Sequence, residues 1–123
     1  MSEQAYFFDT YAFFEIIRGN PAYEKYKDAG AMTTIFNLAE LNYGLKKETS
    51  KEKADKITDK YFPLLVEVPA KDLKEAMNLK TGNRKLSIPD AIGYTVAKSY
   101  GVKFLTGDQG FKKMPNVEFM KKG

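Results

Sequence analysis

The sequence contains no histidine and no cysteine. Without cysteine there is no disulfide, no zinc–thiolate site and no thiol nucleophile. Such a chain suits a reducing compartment. Without histidine there is no Ser-His-Asp triad, no histidine-pair ribonuclease chemistry and no imidazole-ligated zinc. Any hydrolysis must rest on carboxylates, lysine, tyrosine, hydroxyls or a hard metal ion. A long apolar run is also missing, and Met1-Ser2-Glu3-Gln4 carries no basic leader. The expectation is a soluble, cytoplasmic protein with no membrane role. Neither Gly-x-Gly-x-x-Gly nor a P-loop occurs, so dinucleotide or ATP binding has no support.

What is present suffices for one core. A chain of 123 residues, 43% hydrophobic and rich in Phe and Tyr, is expected to fold as a single domain over 1–123. The net charge of +4 is a mild excess. It reads first as solvated surface lysine and only secondarily as attraction to a polyanion.

Hydrophobic periodicity alternates short apolar runs with helical stretches. Ala5-Tyr6-Phe7-Phe8 suits a buried strand, followed by a helix over 11–18 and a short one over 21–28. Ala31 to Thr34 reads as a strand. Ile35 to Lys47 reads as a helix whose face carries Ile35, Leu38, Leu41, Asn42 and Leu45. A charged helix over 50–61 points Ile57 and Tyr61 inward. Leu64 to Val68 reads as a strand, and Pro69 to Leu79 as a helix burying Leu73, Ala76 and Met77. Thr81 to Lys85 reads as a loop. A helix from Ser87 to Tyr100, a strand over 102–106 and a last edge strand over 117–120 follow, with 121–123 as a mobile tail. Strands alternating with helices predict an α/β fold with a mainly parallel central sheet and helices on both faces.

Four acids stand out. Asp9 follows the first strand, Asp108 the strand over 102–106, and Asp90 opens a helix. The carboxyl edge of a parallel sheet is where α/β proteins bind ligands. Each of the three has a structural role open to it: Asp9 and Asp108 as helix N-caps, Asp90 in a capping box with Ser87. Glu40 lies mid-helix with Phe36, Asn37, Tyr43 and Gly44 three and four residues away. No cation there explains it. Gly44 leaves room for a neighbour to approach, but a plain solvent-facing glutamate reads equally well. Should the acids converge, their repulsion calls for a divalent cation. All-oxygen ligands select Mg2+ or Mn2+.

The motifs carrying these acids resemble the PIN-domain ribonucleases, specifically the VapC-type toxins of toxin–antitoxin pairs. The resemblance rests on Phe7-Phe8-Asp9-Thr10 with Arg18-Gly19, and on Asn37 to Gly44 around Glu40. It continues through Pro89-Asp90-Ala91-Ile92 with Ala97 and Gly101, and Leu105-Thr106-Gly107-Asp108-Gln109-Gly110-Phe111. It implies a three-layer α/β/α sandwich in which Asp9, Glu40, Asp90 and Asp108 form an acidic metal pocket for Mg2+ or Mn2+. It implies that Thr106 supports the pocket by hydrogen bonding a carboxylate or water. It implies endonucleolytic cleavage of single-stranded RNA, a homodimer, and inhibition by a cognate antitoxin protein.

The basic pairs Lys46-Lys47, Arg84-Lys85 and Lys112-Lys113 suit RNA phosphates beside such a pocket, though each reads first as solvated surface. Two other classes compete. A phosphotransfer domain would use Asp9 as nucleophile, but Tyr11 stands where a dehalogenase-like Asp-x-Asp needs its second acid. A non-catalytic RNA- or protein-binding module would leave the acids apart or tied in salt bridges.

Overall fold

The computed structural model describes residues 4–121. Of the tail read as mobile, residues 122–123 lie outside the described residues. Strand β1 (Ala5–Phe8) leads directly into helix α1 (Thr10–Ile17), and a 3-10 turn over Pro21–Tyr26 leads to β2 (Gly30–Met32). Helices α2 (Ile35–Glu48), α3 (Lys51–Asp59), α4 (Ala70–Gly82) and α5 (Ile88–Tyr100) follow, then β3 (Lys103–Thr106) and β4 (Val117–Phe119). No helix among the described residues is long and apolar enough to cross a membrane.

The sheet has four strands in the order β2-β1-β3-β4, every pair parallel. Phe7 pairs with Met32 on one side and Phe104 on the other. Successive side chains of a strand point to opposite faces, and the two cores divide accordingly. Tyr6, Phe8 and Leu105 pack with Ala12 and Phe13 of α1 and Leu38, Leu41 and Leu45 of α2. Phe7 and Phe104, stacked with centroids 5.7 Å apart, pack on the other face with Ala76 of α4 and Ile92 and Val96 of α5. Helices thus cover both faces of an all-parallel sheet, as the sequence pattern predicts. The chain runs outward from β1 to β2, then returns to place β3 on β1's other side. The reversal makes a switch point between the carboxyl ends of β1 and β3, where a parallel sheet opens a ligand crevice.

Several local expectations fail for identifiable reasons. Leu64 to Val68 does not form a strand. Thr33 donates its N–H to Leu64 O and accepts from Val66 N, giving one isolated bridge at Leu65 beside β2. In this parallel register the residues before Leu65 lie in a 3-10 turn, and the partners of those after it lie where Thr34 caps α2, so only one pair can bridge. In α4 the buried residues are Asp72 and Ala76, while Leu73 is 39% exposed. Asp72 takes the inward place instead, its Oδ1 accepting from the Ser99 hydroxyl of α5 at 2.9 Å, while Met77 packs partly buried against the core. Helix α4 also runs past Leu79 to Gly82. Asn83, one of the residues read as loop, caps it by donating Nδ2 to Leu79 O, and Lys80 Nζ holds the chain that follows by donating to Arg84 O and Leu86 O. Ile35 is exposed rather than inward. In α3, Ala54 and Thr58 are the buried residues; Ile57 and, just past the helix, Tyr61 do point inward, partly buried against the core.

Candidate active site

The site is assembled at the switch point from the ends of β1 and β3 and the faces of α2 and α5. Asp9 leaves β1 in extended conformation and N-caps α1, its Oδ1 accepting from Ala12 N at 2.9 Å. Only 1% of it is exposed. Asp108 N-caps the 3-10 turn after β3, accepting from Gly110 N at 3.0 Å. Asp90 closes a capping box: Ser87 N donates to Asp90 Oδ2, and Asp90 N donates to Ser87 Oγ. All three aspartates therefore cap helices. A carboxylate has two oxygens, and a cap fixes the group without saturating it.

Electrostatics shows that the caps also gather. Burial pushes the Asp9 carboxyl well above its ordinary range, and the negative charges of Asp90 and Asp108 add to the rise. Hydrogen bonds from Thr106 and Ala12 oppose it. The Asp90 carboxyl is raised chiefly by burial, with Glu40 and Asp108 contributing repulsion against the Ser87 bonds. The four acids thus sense one another across a single neighbourhood. Among the described residues none of them forms an ion pair; the cations pair instead with Glu15, Glu24, Glu48 and Asp55.

Supporting hydroxyls hold the acids in place. Thr106 donates to the Asp9 carboxylate and accepts from Asp108 N at 3.1 Å, so one hydroxyl links both strand ends. Thr10 donates to Glu40 Oε1 at 2.6 Å, tying α1 to α2. Thr33 at the end of β2 donates to Phe8 O, bracing the backbone beside Asp9. Asn37, one turn before Glu40, is fully buried and accepts from the Thr34 hydroxyl through Oδ1, while its Nδ2 has no partner. Sequence reasoning assigned no role to Thr10, Thr33 or Asn37. For Thr10 the one available signal was its position between Asp9 and an apolar helix. The gap at Gly44 is filled from within: a Cβ there would lie 2.5 Å from Phe14 Cζ, so the neighbour it admits is the α1 ring.

As the side chains stand, no three acids among the described residues have the spacing of a completed metal chelate. The donor set nevertheless fits a hard dication. It is all oxygen, it includes a buried carboxylate, and it carries repulsion that no protein cation relieves.

The PIN-domain family model matches residues 6–117, which takes in every one of these acids. The chain belongs to the PIN-domain family. No curated protein matches it. Solved structures with the same PIN fold include VapBC2 from Rickettsia felis bound to a DNA fragment from their promoter. That match has a TM-score of 0.72 and 20% identity, over 98% of this chain and 100% of that one. A toxin-antitoxin complex from Klebsiella pneumoniae matches with TM-score 0.68 and 20% identity, over 91% and 94%. VapBC-1 from nontypeable Haemophilus influenzae matches with TM-score 0.66 and 17% identity, over 96% and 98%. These likenesses show that this PIN domain shares their fold over nearly its whole length.

Proposed function

We propose that this PIN domain is a metal-dependent endoribonuclease acting on single-stranded RNA, and the toxin of a toxin–antitoxin pair. The observation that carries the reading is the gathering of Asp9, Glu40, Asp90 and Asp108 at the switch point without a counter-cation. These four side chains would hold Mg2+ or Mn2+. Such an ion would supply Lewis-acid polarisation of a phosphoryl oxygen and lower the pKa of a water so that it is nucleophilic at neutral pH. Asp9 contributes a carboxylate that its helix cap holds rigid. Thr106 keeps the Asp9 carboxylate oriented while bracing Asp108. Thr10 fixes the rotamer of Glu40, the one acid on a long side chain.

The pairing with an antitoxin is supported by the fold relatives, whose structures are toxin–antitoxin assemblies. A homodimer is part of the same reading and is checked by light scattering. The second reading, a non-catalytic RNA- or protein-binding PIN module, is favoured by the incomplete chelate. Cleavage of a labelled single-stranded RNA, with Mn2+ and with EDTA, separates the two. Cutting that needs the ion supports the nuclease, and cutting that survives EDTA refutes the mechanism. RNA retention without cutting supports the module.

Thr10→Val keeps the β-branched shape but removes the donor to Glu40. Loss of a hydrogen bond that orients a metal-binding group costs about 10–100-fold in metal affinity or activity. The expected result is a higher Mn2+ concentration for half-maximal cleavage with a melting temperature close to wild type. An unchanged metal requirement would remove Thr10 from the site.

A further inference from the structure

The loop joining α4 to α5 forms one wall of a cavity of about 210 Å³ lined by Asn83, Arg84, Lys85, Leu86 and Gly110. Both walls are hydrogen-bonded to the acidic site. Ser87, next after Leu86, holds Asp90 through its N–H at 3.0 Å. Opposite, Gly110 N holds Asp108 Oδ1 at 3.0 Å. The walls also nearly touch each other, since a Cβ on Gly110 would lie 3.7 Å from Leu86 Cδ2.

The charge here is unspent. Of the basic residues on or against α2, Arg18 is paired with Glu48, Lys46 with Asp55, and Lys47 lies over the Tyr43 ring. Arg84 and Lys85 are exposed and form no ion pair among the described residues. Their backbone is nevertheless held. Lys80 Nζ donates to Arg84 O at 3.2 Å and Leu86 O at 2.6 Å, and Leu86 N donates to Asn83 O at 3.0 Å. An ordered backbone carrying two uncommitted cations lowers the ordering cost of binding an anion. The cavity is smaller than those that enclose a whole cofactor, and it suits one group of a longer chain. A strand of RNA whose scissile bond sits among four carboxylates meets repulsion there, which a neighbouring cationic group offsets.

We propose that this cavity is a subsite for a backbone phosphate of the RNA flanking the scissile bond, with Arg84 and Lys85 binding its oxygens. The proposal rests on the ribonuclease reading above. Arginine provides the planar fork that matches phosphate oxygens, and lysine a mobile point charge.

The test compares wild type, R84A/K85A, R84E/K85E and the control K51A/K53A on exposed α3. Cleavage of a short labelled single-stranded RNA in Mn2+ is measured at several salt concentrations. Binding of the same RNA is measured with each variant carried into the Asp9→Asn protein. Removing the two cations should raise KM and Kd about tenfold and leave kcat within about twofold. It should also lower the salt slope by about 0.7 for each phosphate that is no longer neutralised. Charge reversal should do more, and the control nothing. Unchanged KM, Kd and salt slope overturn the subsite while leaving the nuclease intact. So does a fall in kcat alone. If wild type binds RNA without cutting it, the nuclease reading fails and the binding series still decides the subsite. If wild type neither cuts nor binds, both fall.

Discussion

Asp9→Asn is expected to lower RNA cleavage by roughly three orders of magnitude or more, the equivalent of about 4 kcal/mol of transition-state stabilisation. The same change is expected to raise the melting temperature of the metal-free protein. Both effects follow from one fact: Asp9 is 1% exposed, and burial together with Asp90 and Asp108 disfavours its charged form. Asparagine is a good N-cap, and its oxygen can still accept from Ala12 N. The fold therefore keeps the cap and loses the repulsion, a trade of roughly 0.5–2 kcal/mol of stability against function. The sign with pH follows from the direction of the shift. A carboxyl whose folded value is raised contributes stability that is fully present below its unfolded value and is lost as pH rises through the folded one. The two proteins should melt alike near about pH 4, and the variant's advantage should widen toward neutrality. Calorimetry in EDTA across that range measures it. Mn2+ should raise the wild-type melting temperature and leave the variant almost unmoved. An advantage independent of pH would show that Asp9 carries no electrostatic strain.

The three aspartates were visible in the sequence because each stands at a boundary where one element gives way to another. That same placement concealed their convergence. Asp9, Asp90 and Asp108 each satisfy a helix cap completely, so every one has a sufficient local explanation. Only the strand order, which brings β1 against β3, sets Asp9 and Asp108 at adjacent strand ends, where Asp9, Asp90 and Asp108 influence one another electrostatically. Glu40 had no local explanation, and its partner is 30 residues away in Thr10. Thr10, Thr33 and Asn37 are ordinary polar residues in sequence, and only tertiary contacts give them work. The errors in the fold have the same source. The inward stripe of α4 contains an acid, Asp72, which a hydrophobic pattern skips in favour of Leu73. Leu64 to Val68 has strand-forming residues, but Leu64 is taken into a 3-10 turn and the neighbouring chain turns into α2 at Thr34, leaving only the Thr33–Leu65 bridge. Strong patterns survived: the alternating Tyr6, Phe7 and Phe8 divide between two cores, as a strand covered on both faces requires.

Gly107→Ala is expected to cause the largest loss of stability among small substitutions near the site. Gly107 is buried between Thr106 and Asp108, where β3 leaves the sheet. An added Cβ would overlap the Tyr11 ring and lie 2.5 Å from the Met120 carbonyl oxygen. The carbonyl, moreover, is held. Tyr23 donates its hydroxyl to that oxygen at 2.6 Å, and Met120 N donates to Thr106 O at 2.8 Å. Accommodation must therefore break the Tyr23 bond or push the exit of β3 out of line. Overpacking costs about 1–3 kcal/mol, and a lost buried hydrogen bond about 1 more. For a domain of this size that amounts to a fall of roughly 10 °C in Tm. Displacing β3 also moves Thr106 and Asp108 together, so cleavage should drop by about 10–100-fold beyond any loss from unfolding. Gly82→Ala provides the contrast. It ends α4 with no atom within 4 Å of an added Cβ. There the change should leave activity intact and stabilise by at most about 1 kcal/mol, through the unfolded chain. Thermal melts and single-turnover cleavage of the two variants measure both effects. If Gly107→Ala melts within a degree of wild type and cuts at full rate, the Met120 carbonyl is free to withdraw. The hold of Tyr23 and Thr106 on Met120 would then not be what keeps the exit of β3 in line.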